Sequence, residues 1–257
     1  MLYEKILAAI DLKKLNCAFV IENLKTGEKI AYNENVVVPS ASLIKIPIMM
    51  EILNQVKEGK LSLKQRITVE DNVKVPFSIL NLLESGNSYT LKDVITLMII
   101  QSDNTAANIL MDLAGMDNVN NYVKNLGIKN TVLQRKMMDS EARKEGRENK
   151  TTAAEMAKFF EIIYKGEKAK GSYSVIMKNI LTSQLDNSVM RLNIPDDTLI
   201  AHKTGDLDGI SHDAGIVYLP NVDYIFCGLT WDAVTNNFAR ETIGKISKIA
   251  YDYFISL

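Results

Sequence analysis

The chain has 257 residues, 47% hydrophobic and 24% charged, a balance that excludes a disordered protein. Its 30 Lys and Arg oppose 31 Asp and Glu, so it lacks the electrostatic footprint of a nucleic-acid binder. Two histidines and two cysteines leave no material for a zinc site or a disulfide framework. Cys17 and Cys227 sit in apolar runs and read as small buried hydrophobes. No segment approaches the roughly 18 apolar residues of a membrane span.

From Met1 to Asp11, acid and base interrupt a short apolar pattern, without the apolar core of a signal peptide. The chain therefore either stays in the cytoplasm or has been separated from a targeting segment. Ile6, Leu7, Ile10 and Leu15 predict a helix over 4–15. A strand over 17–22, a turn at Lys25-Thr26-Gly27-Glu28 and a strand over 29–32 predict a hairpin. Ser40-Ala41-Ser42 opens a helix that runs to about Lys57 and stops near Gly59, with Pro47 in its early turns.

From 60 to 190 the pattern is mostly helical. Thr90 to Asp93 resembles a capping box ahead of an apolar run to Ile100 that reads as a buried central helix. Helices follow over 105–113 and 117–126, each closed by a glycine. Residues 137–150 read as a long polar loop with at most a short helix. Thr152 to Glu155 is a capping box whose helix ends near Gly166, and a further helix spans 172–181. Strands over 199–204, 214–219 and 224–230 and a closing helix over 233–254 complete the chain. The expected architecture is one antiparallel sheet built from both termini, with a helical insertion and both terminal helices on one sheet face.

Three short motifs carry chemistry. Ser42 and Lys45 stand three apart at a helix start, facing one side. An alcohol needs a base beside it, and a lysine serves if burial or positive charge lowers its pKa. Alone, this pair also reads as a cap followed by a surface lysine. Ser102-Asp103-Asn104 joins two helices and alone reads as a turn. Lys203-Thr204-Gly205 reads as a strand end, where Gly205 permits close approach of a ligand.

Together and in this order, about 60 and 100 residues apart, these motifs match the S-x-x-K, S-D-N and K-T-G set. Over nearly its whole length the chain resembles the serine β-lactamase and penicillin-binding-protein superfamily, most of all the class A β-lactamases. The resemblance implies an α/β (α+β) β-lactamase/transpeptidase-like fold with a five-stranded antiparallel sheet. It implies an α/β lobe from 1–57 and 190–257, an all-helical lobe from 58–189, and an active site between them. It also implies roles: Ser42 the acylated nucleophile, Lys45 its activator or proton relay, and Ser102 the donor to the leaving nitrogen. Asn104 would hold the substrate's amide, and Lys203 and Thr204 its carboxylate. Backbone N–H groups of Ser42 and Asp206 would form the oxyanion hole, and Lys203 would depress the pKa of Lys45. Asp103 is expected to fix the turn.

Three departures from that family are legible. The loop glutamate that normally activates the deacylating water falls, by gapless counting from Arg135 and Thr151, on Met137, and a thioether takes no proton from water. Glu141, one helical turn on, is the candidate displaced base, with Glu145 and Glu148 next in line; otherwise it is a solvated loop acid. The usual Arg-to-Asp tie at the loop's neck is expected to be broken, since Lys150 faces Arg135. Asp206 follows Gly205 where small neutral residues are commoner; it would oppose an anionic substrate or favour one with an amine. His212 stands where relatives use an Arg to hold the substrate carboxylate, a role it would fill best when protonated, unless it is a hydrogen-bonded strand histidine. His202 is expected to point away from Lys203 by strand alternation.

The leading expectation is a monomeric serine hydrolase without cofactor or metal, acting on a small-molecule β-lactam, with slow deacylation. The alternatives are a D-alanyl-D-alanine-type peptidase on peptidoglycan-like peptides, another amidase or esterase, and a penicillin-binding sensor trapped as a stable adduct.

Overall fold

The computed structural model describes residues 1–167 and 173–257. Helix α1 (Leu2–Ala8) is shorter than its apolar pattern predicts. Asp11 Oδ1 accepts the Lys13 N–H at 3.1 Å and the Asp11 carbonyl accepts from Lys14, so a local turn replaces the helix. Strands β1 (Asn16–Asn23) and β2 (Lys29–Tyr32) form the expected hairpin. After β3 (Val38–Pro39) the chain makes a 3₁₀ turn over Ala41–Ile44 and continues as α2 (Lys45–Lys57), with Pro47 in its first turn.

The stretch expected to be all helical holds a hairpin of β4 (Arg66–Val69) and β5 (Asn87–Thr90), with the short α3 (Ile79–Leu82) in its long connection. The Thr90–Asp93 capping box is complete and opens α4 (Leu91–Ile100). Helices α5 (Asn104–Ala114) and α6 (Met116–Asn125) follow, and the polar loop contains only α7 (Ser140–Lys144). Strand β6 (Lys150–Thr151) pairs with β3. Thr152 caps α8 (Ala153–Gly166), but Glu155 does not reach back to close the box. Its carboxylate accepts from the Lys129 and Asn130 backbones and from Thr131 Oγ1, tying down the preceding loop. The expected start of the next helix at Ser172 lies outside the described residues; α9 spans Ser174–Leu181.

Strand β7 (Leu199–Leu207) runs three residues past the predicted end at Thr204. Asp208-Gly209, with Gly209 at φ 67°, turns it into β8 (Ile210–Tyr218). Strand β9 (Tyr224–Trp231) and helix α10 (Asn236–Ile255) finish the chain. The five long strands form one antiparallel sheet in the order β2-β1-β9-β8-β7.

Alternation along the strands sorts side chains to two faces. Phe19, Ile21, Ile200, Val217 and Phe226 pack with Leu2, Ile6, Ile243 and Phe254 of the terminal helices. Ala18, Val20, Ala201, Ile216 and Cys227 share a second cluster with residues of α2, α4, α5 and α8. Strand β7 is an edge strand, and at Gly205 its free side meets the 3₁₀ turn. A Cβ built on Gly205 lies 3.0 Å from the Ser42 backbone nitrogen, so any larger residue would push the turn away from the strand by a few tenths of an ångström. Among the described residues no helix is long and apolar enough to cross a membrane.

Candidate active site

Lys45 and Lys203 are completely buried, and their amines meet at one hydroxyl. Lys45 Nζ lies 3.1 Å from Ser102 Oγ, 2.5 Å from the Ser102 carbonyl oxygen and 2.9 Å from Asn104 Oδ1. Lys203 Nζ lies 3.1 Å from the same Oγ and 2.7 Å from the Thr204 carbonyl. Burial, and then the charge of Lys203, hold Lys45 well below the ordinary lysine range. Burial also lowers Lys203, to about 8, against the opposing pull of Asp186, Asp213 and Asp206. Once it has lost its proton, the Lys45 amine has a lone pair to use. Lys45 then accepts from one of its neighbours, and the Ser102 hydroxyl is the one able to donate.

Ser42 lies within the 3₁₀ turn and Lys45 follows it, and in such a turn side chains three apart eclipse. Ser42, Ser102, Asn104, Thr204, Gly205 and Asp206 line one cavity of about 850 Å³. Asn104 Nδ2 donates to the Pro76 carbonyl at 3.2 Å. Asp103 is buried and accepts from Ser78 Oγ, Leu80 N and Ala106 N, so it builds the turn that presents Ser102. The turn is strained, with Ser102 at φ 53°. Ala41, Phe77 and Met138 also line the cavity with positive φ. Such residues each cost on the order of 1–3 kcal/mol and cluster where a site dictates backbone shape.

Residue 150 does not tie the neck of the loop between Arg135 and Lys150, as expected, and the loop is held differently. Glu148 supplies the tie that Lys150 cannot: Arg135 Nη2 and Nε lie 2.7 and 2.8 Å from its Oε1, and Arg143 Nε 3.2 Å from its Oε2. Asn149 Oδ1 accepts from the Gln134 and Arg135 backbones, and its Nδ2 donates to the Arg135 carbonyl. Asn108 of α5 brackets Met137, accepting its N–H at 2.7 Å and donating to its carbonyl at 3.1 Å. Met137 thus lines the cavity. Glu141 does not: its side chain is 75% exposed and pairs with Lys144 at 2.8 Å. Glu145 is likewise exposed and pairs with Arg147. Neither has the geometry of a displaced base, because α7 turns both toward solvent.

Two further expectations change. His212 is buried and does not line the cavity. Its Nε2 and Nδ1 lie 2.9 Å from the Pro39 and Ser211 carbonyl oxygens, Thr230 N lies 3.2 Å from Nδ1, and burial lowers its pKa. It is a hydrogen-bonded strand histidine whose two ring nitrogens are taken by backbone groups. Asp206 is not a free anion, because Arg240 Nη2 of α10 lies 2.9 Å from one oxygen and Ser211 Oγ donates to the other. His202 lies on the far face of β7, with Nδ1 2.9 Å from Asp213 Oδ1.

Three cavity residues were not singled out from the sequence. Arg240 neutralises Asp206. Asp186 accepts from Ser188 and Thr204; burial would raise its carboxyl, and these bonds with the Lys203 charge outweigh it and lower the pKa. Phe77 stands at the mouth, 80% exposed. Arg240 and Asp186 become legible only through pairing, since nothing local in the sequence marks either.

The model of the beta-lactamase enzyme family matches residues 1–254. Beta-lactamase VEB-1 of Pseudomonas aeruginosa is 24% identical, over 98% of this chain and 90% of that protein. The crystal structure of a beta-lactamase from Sphaerobacter thermophilus superposes with a TM-score of 0.91 at 26% identity, covering 99% of this chain and 98% of that one. A mutant of PBP-A, solved as an acyl-enzyme complex with penicillin G, superposes at 0.90 with 26% identity over 100% and 97% of the two chains. With the family model spanning nearly its full length, the chain belongs to the beta-lactamase enzyme family, as a serine hydrolase of the class A type.

Proposed function

We propose that Ser42 is acylated by a β-lactam and that the acyl-enzyme breaks down slowly. The observation that carries the first half is the sharing of Ser102 Oγ by two dehydrated lysine amines beside Ser42. Neutral Lys45 takes the Ser42 proton as Oγ bonds to the lactam carbonyl carbon. The developing oxyanion lies against the backbone N–H groups of Ser42 and Asp206. The carbon–nitrogen bond then breaks, and the nitrogen takes the Ser102 proton. The proton on Lys45 replaces it, so one proton has passed from Ser42 to the leaving nitrogen. Charged Lys203 and the Thr204 hydroxyl hold the substrate carboxylate, and Asn104 its side-chain amide.

Deacylation needs a water that gives up a proton as it attacks. Met137 offers no acceptor for it. Of the cavity's acids, Asp139 accepts the Ala142 N–H as the cap of α7, and Asp186 and Asp206 are bonded as described. Asp208 is exposed at the far β7–β8 turn. The likeness to PBP-A also favours a second reading, a peptidase or penicillin sensor whose adduct persists. A D-alanyl-D-alanine peptide separates the two, since only the peptidase would cleave it.

Intact-mass measurement after mixing with penicillin G tests the central step. The expected result is a one-penicillin adduct that forms faster than it decays and is absent in Ser42→Ala. An adduct surviving in Ser42→Ala would remove Ser42 as nucleophile.

Acylation requires Lys45 neutral and Lys203 charged. The second-order acylation rate should therefore rise with pH as Lys45 loses its proton and fall again near about 8 as Lys203 loses its own. Lys203→Arg, whose guanidinium stays charged, should abolish the falling limb. A limb unchanged in that variant would detach it from Lys203.

Met137→Glu should speed decay of the adduct by about 10²-fold or more, the usual effect of a positioned base. Glu141→Gln should leave decay unchanged. Rapid wild-type decay that Asp139→Asn abolishes would contradict the proposal and make Asp139 the base.

A further inference from the structure

We infer that the end of the cavity walled by Phe77, Leu82 and Met138 selects substrates carrying a long apolar acyl chain. The inference rests on the reading of Ser42 as the acylated nucleophile and names the class of acyl group that it takes.

The wall is built from two segments that α5 props up. Asn104 and Asn108 stand one turn apart on α5 and so share a face. Asn104 N donates to the Phe77 carbonyl at 3.3 Å, and Asn108 brackets Met137. Beyond Phe77, α3 turns Leu80 inward, where it is 1% exposed, and leaves Ile79 and Leu82 facing out at 37% and 78%. Across the opening Met138 is 43% exposed. All four exposed side chains line the cavity that holds Ser42.

Phe77 and Met138 hold left-handed conformations, φ 55° and 64°, which bulky side chains adopt only when something around them dictates it. A contiguous exposed apolar patch at a cavity mouth marks a binding surface. The charged residues that this loop adds to the cavity are already engaged, Asp139 by the cap of α7, and Arg135 and Arg143 by Glu148.

The occupant follows from the layout of the cavity. Four of its polar lining residues, Asp206, Asp208, Asn236 and Arg240, belong to the β7–β8 turn and the start of α10, and others, among them Arg135, Asp139 and Arg143, belong to the loop that carries Met138. Lys203 and Thr204 sit on β7 and bind the anionic part of the substrate in the proposed function. The acyl chain attached to the reacting carbonyl is the part left to meet Phe77, Leu82 and Met138.

Two homologous series test this. One is the p-nitrophenyl esters of straight-chain acids from acetic to octanoic; Ser42 Oγ bonds to the ester carbonyl and p-nitrophenolate leaves. The other is the penicillins bearing the same acyl groups on the side-chain amide. In each, the second-order acylation rate should rise about three- to fourfold per added methylene until the wall is covered, as full burial of each group predicts. Leu82→Asp, at a position too exposed to disturb folding, should flatten the dependence, and Phe77→Ser should do the same. Labelling that does not depend on chain length, or a slope unaltered in both variants, would overturn the inference while leaving acylation of Ser42 intact. Esters that show the slope beside penicillins that form no adduct would support the inference and overturn the β-lactam reading. Failure of both series to label Ser42 would overturn both.

Discussion

Two lysine amines sharing one hydroxyl, away from water, is the constraint on which the site depends. An isolated buried ammonium is strongly unfavourable, and a second one beside it is worse. The structure meets that cost in two ways. It depresses both lysines, so that one gives up its proton easily, and it surrounds them with carboxylates. The charge of Asp103 pulls the pKa of Lys45 back up, and the charges of Asp186, Asp213 and Asp206 do the same for Lys203. The same depression makes Lys45 a base, so the stability problem and the chemistry have one solution. The positions of α2, of the strained turn at Ser102 and of edge strand β7 follow from bringing these three side chains together.

Around that centre the loop from Arg135 to Lys150 carries a different message. It is held well, and Met137 stands at the position where the resemblance places a base. The neck is tied by Glu148, Arg135 and Arg143, and Asn149 stitches the strand ends. Met137, bracketed by Asn108, faces the cavity as an apolar surface. Met137 and Met138 of this loop line the cavity together with Phe77 and Leu82.

The sheet, most helices and the three motifs were legible because each rests on local signals: alternation, capping residues and glycine stops. The five-stranded sheet could be expected from the terminal hairpin and the three late strands. What escaped was non-local. The pairing of Glu148 with Arg135 depends on a loop path that gapless counting cannot reveal, so the tie read as broken. Glu141 looked like a displaced base by helical spacing, yet α7 turns it to solvent. Asp206 looked like a free anion because its partner, Arg240, lies 34 residues on, in the closing helix. His212 was given a substrate role, yet both its ring nitrogens are taken by backbone groups. Arg66-Ile67-Thr68-Val69 of β4 alternates and was passed over, whereas its partner β5 (Asn87–Thr90) has one apolar residue and lies beyond a long connection. The Asp208-Gly209 turn was a local signal that was passed over; it puts Lys203-Thr204-Gly205 inside a strand rather than at its end.

The most direct test of the account is the titration of Lys45, followed by NMR of protein labelled at the lysine Cε and Nζ and assigned with Lys45→Arg. The account predicts that Lys45 loses its proton well below the ordinary lysine value of about 10.4, and that the midpoint moves upward in Lys203→Gln, where the neighbouring positive charge is gone. A Lys45 that titrates with the surface lysines, unmoved by Lys203→Gln, would contradict it.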